Sequence, residues 1–230
     1  MTSQAATHII GQTLSREQLQ ALLSSTAVPL VFENCDFSGA DLSRLNLAGS
    51  GFRSCQFAET VLFSANLSHT SWVACRAGLA DFESAELTDS SFDGCDLNNS
   101  KWRRSKLPSV VFKGCKLTGA SFEEVSSLGL TFEDCLLVGA DLRRMSFRKM
   151  RLVQLELSEA DISGCDFRDA VFEGGSLRDA HMKLARFEGA DLREVQLGGL
   201  KLLDAKMFRG ATISYRQAAE LVAELGLNVL

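Results

Sequence analysis

The chain has 230 residues, 46% of them hydrophobic and 23% charged, which is enough apolar material for one sizeable folded unit and too much for a disordered chain. Its formal net charge of -5 argues against a general nucleic-acid binder, which needs a basic surface to displace counterions from phosphate. No apolar run approaches the roughly eighteen residues of a membrane-spanning helix, so the expectation is a soluble, cytoplasmic protein with no membrane partner.

Residues 1–29 read as an N-terminal segment carrying a capping helix over 15–25. Ser15 is its N-cap, Gln18 completes a capping box, and Leu19, Leu22 and Leu23 form an apolar stripe.

A five-residue frame then takes over from 30 to 209. Large apolar residues stand at Phe32, Phe37, Leu42, Leu47, Phe52, Phe57, Leu62 and Leu67, and the frame runs on to Phe187, Leu192, Leu197, Leu202 and Met207. Only Ala77 and Ser127 interrupt it, and the frame resumes unshifted after each. Two residues before each large residue lies a smaller one, as in Cys35, Ala40, Ser50, Cys55, Thr60, Ala65 and Thr70. A period of five matches neither the helix nor the plain strand. Two inward positions two apart suit a short extended segment, and the polar residues between suit a turn, so each pentapeptide makes one side of a coil.

The cysteines give the number of sides. Cys35, Cys55, Cys75, Cys95, Cys115 and Cys135 are all twenty apart, as are the aromatic residues Phe32, Phe52, Trp72, Phe92, Phe112 and Phe132. Four pentapeptides per turn place each set in one column, and residues 30–209 make about nine turns. Parallel cysteines in such a ladder are expected to stay reduced, because their Cβ atoms lie farther apart than the roughly 3.8 Å a disulfide prefers.

Residues 210–230 are expected to form a C-terminal helix, capped by Ser214, and an apolar tail. Ala218, Leu221, Val222 and Leu225 recur at helical spacing, Gly226 stands at the C-cap, and Leu227 and Val229 follow. The module serves either as a lid on the last coil or as a dimer contact.

Segments such as CDFSGADLSRLNL (35–47), CKLTGASF (115–122) and ARFEGADL (185–192) resemble the A(D/N)LXX pattern of pentapeptide-repeat proteins. The resemblance implies an all-β solenoid, a right-handed quadrilateral β-helix. The C-terminal helix ending in LGLNVL is similar to that of the quinolone-resistance members, the Qnr and MfpA type. That likeness implies a homodimer joined through the C-terminal module, mimicry of B-form DNA, and DNA gyrase or topoisomerase IV as partner. The chain lacks the clear loop insertions of the Qnr type and is closer to the uninterrupted MfpA-like rods.

No catalytic constellation emerges, and neither a cofactor nor a metal is expected. His8, His69 and His181 fall in the N-terminal segment or at outward positions, and no glycine-rich phosphate loop occurs. Charge is the informative feature. Residues 31–100 hold ten acids and three bases, whereas 101–160 hold seven acids and eleven bases. Residues twenty apart are surface neighbours, so Glu83, Arg103, Glu123 and Arg143 form one alternating ladder and Asp93, Lys113 and Glu133 another. What is left over is an acidic patch of Asp36, Asp41, Asp81, Glu86, Asp89 and Asp96, the candidate contact for a basic groove. Two outward apolar clusters, Val61 with Phe63 and Leu136 with Val138, suit any protein partner. Two functions stay open: a DNA-mimicking topoisomerase binder, and an interaction scaffold whose partner is unrelated to DNA.

Overall fold

The computed structural model describes residues 7–26, 29–199, 206–224, Gly226 and Asn228. They fall in two units, Met1–Thr131 and Phe132–Leu230, and both are built from the same coil. One side of each coil is a short strand: β1 (Thr7–Ile10), β2 (Leu30–Glu33), β3 (Gly51–Arg53), β4 (Ser71–Val73), β5 (Ser91–Asp93), β6 (Val111–Lys113), β7 (Thr131–Glu133), β8 (Arg151–Val153) and β9 (Val171–Glu173). The pairings are parallel and in chain order, with Phe32 opposite Phe52, Phe52 opposite Trp72 and Leu152 opposite Phe172. The other three sides are marked by bridges at the same interval, such as Asp36 with Gln56, Asp41 with Val61 and Asn46 with Asn66. The solenoid is therefore four-sided, as the period of twenty demands. β2 to β9 open eight turns, one fewer than expected, and the ninth includes residues outside the described set.

Backbone hydrogen bonds between coils hold this shape. The Leu42 N–H donates to the Val61 carbonyl at 2.7 Å and the Val61 N–H to the Ala40 carbonyl at 2.9 Å; in the second unit Leu142 bonds Asp161 and Asp161 bonds Ala140 in the same way. Corners are four-residue turns closed by bonds such as Ala40 N–H to the Phe37 carbonyl at 3.0 Å, with the third residue in the left-handed region. Arg44 at φ 61° and Gly39 at φ 67° are examples.

The interior is a set of stacks. In the first unit Phe32 lies 5.3 Å from Phe52, Phe92 lies 4.9 Å from Phe112, and Phe82 faces Trp102 at 4.0 Å with an interplanar angle of 2°. In the second, Phe147, Phe167 and Phe187 stack at 5.0 and 4.8 Å. Small donors fill the other inward position because the carbonyl of the large residue one coil earlier faces them. Cys75 Sγ lies 3.4 Å from the Phe52 carbonyl, Thr60 Oγ1 2.8 Å from that of Phe37, and Ser90 Oγ 2.6 Å from that of Leu67. Indole nitrogens are satisfied likewise, Trp72 Nε1 by Thr70 Oγ1 at 3.0 Å and Trp102 Nε1 by Ser100 Oγ at 2.8 Å. All seven cysteines are buried free thiols.

The interruption at Ala77 leaves the coil unbroken. Ala77 is buried and its N–H bonds the Asp96 carbonyl at 2.7 Å, while the Trp72 ring of the same coil approaches Phe57 to 4.6 Å and occupies the volume that a larger residue at 77 takes elsewhere. Ser127 is half-buried and closes the usual turn, accepting from the Leu130 N–H at 3.1 Å.

The frame does slip near its end. The Phe167 N–H bonds the Arg186 carbonyl, nineteen residues on, whereas the Phe187 N–H bonds that of Met207, twenty on. Met207, expected to point inward, is displaced by one, and Phe208 takes the stack position at 5.0 Å from Phe187.

Both ends carry helices. α1 (Arg16–Ser25) has the expected capping box, Ser15 Oγ accepting from the Gln18 N–H at 3.3 Å and Gln18 Oε1 from the Ser15 N–H at 2.8 Å. Of its apolar stripe only Leu19 is fully buried; Leu22 and Leu23 are half-buried. The helix is tied down instead by Arg16, which donates to the carbonyls of Asp41 and Ser43 at 2.8 and 2.9 Å. β1 lies before it and extends the ladder ahead of residue 30, with Ile9 opposite Phe32. α2 (Tyr215–Glu224) opens on a second capping box, with bonds of 2.6 and 3.3 Å between Ser214 and Gln217. Gln217 is buried, and its Nε2 donates to the Leu192 and Val195 carbonyls at 2.6 and 2.7 Å, so α2 lids that coil.

Two predictions test this packing. Gly175 has φ 79° and sits between the large inward residues Leu155 and Val195; a Cβ there would run into the Leu155 carbonyl oxygen and lie 2.7 Å from its nitrogen. Gly175→Ala should lose about 2–4 kcal/mol in urea unfolding, against about 1 kcal/mol for Gly39→Ala, where the added carbon meets nothing within 4 Å. Burial pushes the Cys165 thiol up to about 12, and hydrogen bonds to neighbouring thiols together with burial push Cys55 and Cys95 up as well. Because all seven thiols are buried, a colorimetric reagent should label no cysteine of the native protein within minutes and all seven in concentrated guanidinium chloride.

Candidate partner-binding surface

The residue before each large inward one points outward, and the coil spacing turns that position into four surface columns per unit. In the first unit one column runs Asp36, Gln56, Arg76, Asp96, Lys116; the next Asp41, Val61, Asp81, Lys101, Ser121; the third Asn46, Asn66, Glu86, Lys106, Ser126. The six candidate carboxylates therefore occupy three sides and one corner rather than one face. Asp36 and Asp96 share a column with Arg76 between them, and Asp41 and Asp81 share another with Val61 between them.

Three of the six have cationic or imidazole neighbours, contrary to the expectation that they are left over. Glu86 accepts from Lys106 Nζ at 2.7 Å, Asp41 lies 3.6 Å from Arg16 Nη1, and Asp89 lies 3.7 Å from His69 Nδ1. The Glu86–Lys106 and His69–Asp89 pairs show in sequence as twenty-residue offsets, whereas Arg16 is brought alongside Asp41 from α1. The other carboxylates work on their own turns. Asp36 Oδ1 accepts from the Ser38 N–H, Asp81 Oδ1 from the Glu83 N–H, each at 2.9 Å, and Asp96 Oδ1 from the Asn98 N–H at 3.3 Å. Hydrogen bonds from Ser38 hold Asp36 below the usual carboxylate range, and those from Ser43 do the same for Asp41. Both are therefore ionised at neutral pH, Asp41 exposed and Asp36 half-buried. The expected charge ladder is present in Arg103 with Glu123 at 3.6 Å and Arg104 with Glu124 at 2.9 Å.

The second unit handles charge differently. Asp141, Asp166 and Asp191 each grip the arginine two residues on, with two bonds of 2.6–2.9 Å to Arg143, Arg168 and Arg193. Asp166, which is buried, also takes Arg186 at 2.9 Å, and these bonds, that to Arg168 foremost, keep its carboxyl low. The recurring Asp-x-Arg of ADLRR, CDFRD and ADLRE was the available signal for these forks.

On α2, Ala218, Leu221 and Val222 are half-buried, while Leu225, Leu227 and Val229 lie outside the described residues. Among the described residues no group of three or more histidine, cysteine or acidic side chains is arranged to hold a metal ion, and no helix is long and apolar enough to cross a membrane.

With four columns per coil and the stacked interior in view, comparison with known proteins decides the family. The model of the pentapeptide repeat region matches residues 30–102, 46–122 and 105–182, overlapping windows that span most of the solenoid. The chain belongs to the pentapeptide-repeat family. Among solved structures it is similar to full-length QnrB1, a plasmid-mediated fluoroquinolone resistance protein, at 22% identity and a TM-score of 0.59 over 97% of this chain and 99% of that one. A trypsin-treated, singly substituted form of QnrB1 gives 23% identity and a TM-score of 0.58, with 98% of each chain covered. At these identities the likeness shows the pentapeptide-repeat fold. No curated protein matches the sequence.

The forks make stability depend on acid. Asp166 titrates below its ordinary 3.8, so its contribution is present above that pH and is lost as the pH falls through the lowered folded value. Thermal melts should show the wild type losing stability from about pH 4 downward, with Asp166→Asn less stable by about 1–3 kcal/mol at neutral pH and flatter over the acid range.

Proposed function

We propose that this pentapeptide-repeat protein is a non-catalytic recognition module that binds a type II topoisomerase, DNA gyrase foremost or topoisomerase IV, and protects it from poisons such as fluoroquinolones. The observation that carries the reading is the likeness to full-length QnrB1, which extends over 97% of this chain and 99% of that one rather than over a shared patch of repeats. On this reading the protein is cytoplasmic and pairs as a homodimer through α2 and the residues after it. It meets the enzyme's DNA-binding groove with ionised carboxylates in place of phosphates, chiefly Asp36, Asp41, Asp81 and Asp96 of the first unit. Binding nucleic acid itself is not part of the function, since those carboxylates repel phosphate.

The competing reading, a scaffold for a partner unrelated to DNA, draws support from one observation: the six candidate acids spread over several sides, with Arg76, Lys101 and Lys106 among them. Salt separates the two, because a basic groove holding carboxylates loosens as ionic strength rises.

A gyrase supercoiling and cleavage assay with a fluoroquinolone is the test. Micromolar protein should raise the drug concentration needed for half-maximal cleavage. The Asp36→Asn, Asp41→Asn, Asp81→Asn, Asp96→Asn variant should need about tenfold more protein for the same protection and show a weaker dependence on salt. No effect of the wild type on supercoiling, cleavage or protection overturns the proposal.

A further inference from the structure

One corner of the first unit and the side that runs from it to the next corner carry apolar side chains that neither the core nor the turns require. The third-residue position of that corner is held in successive coils by Gly39, Glu59, Leu79, Asn99 and Gly119, all in the left-handed region. Glycine and asparagine suit that backbone; leucine does not, and Leu79 adopts φ 61° while remaining 52% exposed. Chain position and pairing place two more apolar residues on the same stretch of surface. Leu79 precedes Asp81 by two residues, Asp81 bridges Val61 of the coil before, and Phe63 follows Val61 by two; both Val61 and Phe63 are half-exposed. Carboxylates alternate with them. Glu59 shares a coil with Val61, and its N–H bonds the Gly78 carbonyl beside Leu79 at 3.0 Å; the Glu83 carbonyl accepts from Ser64, next to Phe63, at 2.9 Å. The next residue in the Phe63 and Glu83 column, Arg103, is held at Glu123.

We infer that Val61, Phe63 and Leu79 form an apolar anchor, flanked by Glu59, Asp81 and Glu83, which docks a protein surface carrying lysine or arginine around an apolar side chain. The charges choose this occupant. Carboxylates interleaved with exposed apolar groups repel both a phosphate backbone and an anionic lipid surface, and they complement a basic protein patch that a desolvated centre then holds. The inference rests on the topoisomerase reading for the identity of the partner and adds that the contact is not phosphate imitation alone. Carboxylate mimicry sets the salt dependence, whereas the anchor supplies affinity that salt does not screen.

The test measures the affinity of purified DNA gyrase for the wild-type protein, for Leu79→Asn, for the Leu79→Asn, Phe63→Ser pair, and for Val73→Ser as a control at an apolar residue of another column that is 42% exposed. Asparagine accepts the left-handed backbone, so Leu79→Asn should keep or raise the melting temperature by about 2 °C. The expected result is wild-type binding, at least about tenfold weaker binding by the pair with an unchanged slope against salt, and no change for Val73→Ser. If the pair loses its melting transition, Leu79→Asn alone is read, with about threefold weaker binding expected. Wild-type binding with variants inside twofold of it overturns the anchor and leaves the topoisomerase reading standing. Absence of wild-type binding overturns that reading and the anchor with it.

Discussion

Within each unit the coils are held to their neighbours by backbone hydrogen bonds, and nearly everything else follows from having to keep those bonds in register. A residue's N–H and carbonyl find partners about twenty residues away, so the chain must return to the same corner after four equal sides. Each corner must turn sharply enough to bring the next side into line, which places one residue per pentapeptide in the left-handed region whatever its identity. The stacks of Phe, Trp, Leu and Cys fill what this backbone encloses. Their chemistry is narrow because the space is: a large residue on one inward position, and on the other a small one whose hydroxyl or thiol reaches a carbonyl facing the core.

The same register converts sequence into surface. Residues twenty apart become neighbours at the strand spacing of about 4.8 Å, so a pair such as Glu86 and Lys106 meets as if on adjacent strands of an ordinary sheet. The two units use this differently. In the first, carboxylates such as Asp36 and Asp81 accept from the backbone of their own turns through one oxygen; in the second, Asp141, Asp166 and Asp191 clamp arginines two residues on. A partner guided by negative charge therefore finds more to hold in the first unit.

Much of the architecture was legible because periodicity survives averaging over many coils. The five-residue frame and the twenty-residue cysteine and aromatic columns are repeated often enough that Ala77 and Ser127 do not obscure them, and the capping boxes at Ser15 and Ser214 are local motifs. What escaped was singular. β1 sits twenty-three residues from its partner rather than twenty, so Ile9 and Leu14, though five apart, fall outside the main frame. The slip that puts Phe208 in place of Met207 is a one-residue change concealed by the adjacent apolar pairs Leu202–Leu203 and Met207–Phe208, which satisfy either frame. For the candidate surface, the positions of the acids and the twenty-residue neighbours Lys106 of Glu86 and His69 of Asp89 could be read from the frame, whereas Arg16 reaches Asp41 from a helix whose placement no spacing rule supplies.

Gln217 gives the end of the solenoid a meaning beyond packing. A parallel ladder that simply stopped would offer its last carbonyls as a template, and a second copy could add coils to it as fibrils add strands. By placing one amide nitrogen on the Val195 carbonyl as well as on that of Leu192, α2 occupies at Val195 an acceptor that an incoming strand would need. The helix thereby turns what would be an open-ended polymer into a molecule of fixed length, and leaves its outer side, rather than its hydrogen-bonding edge, as the surface that another protein can meet.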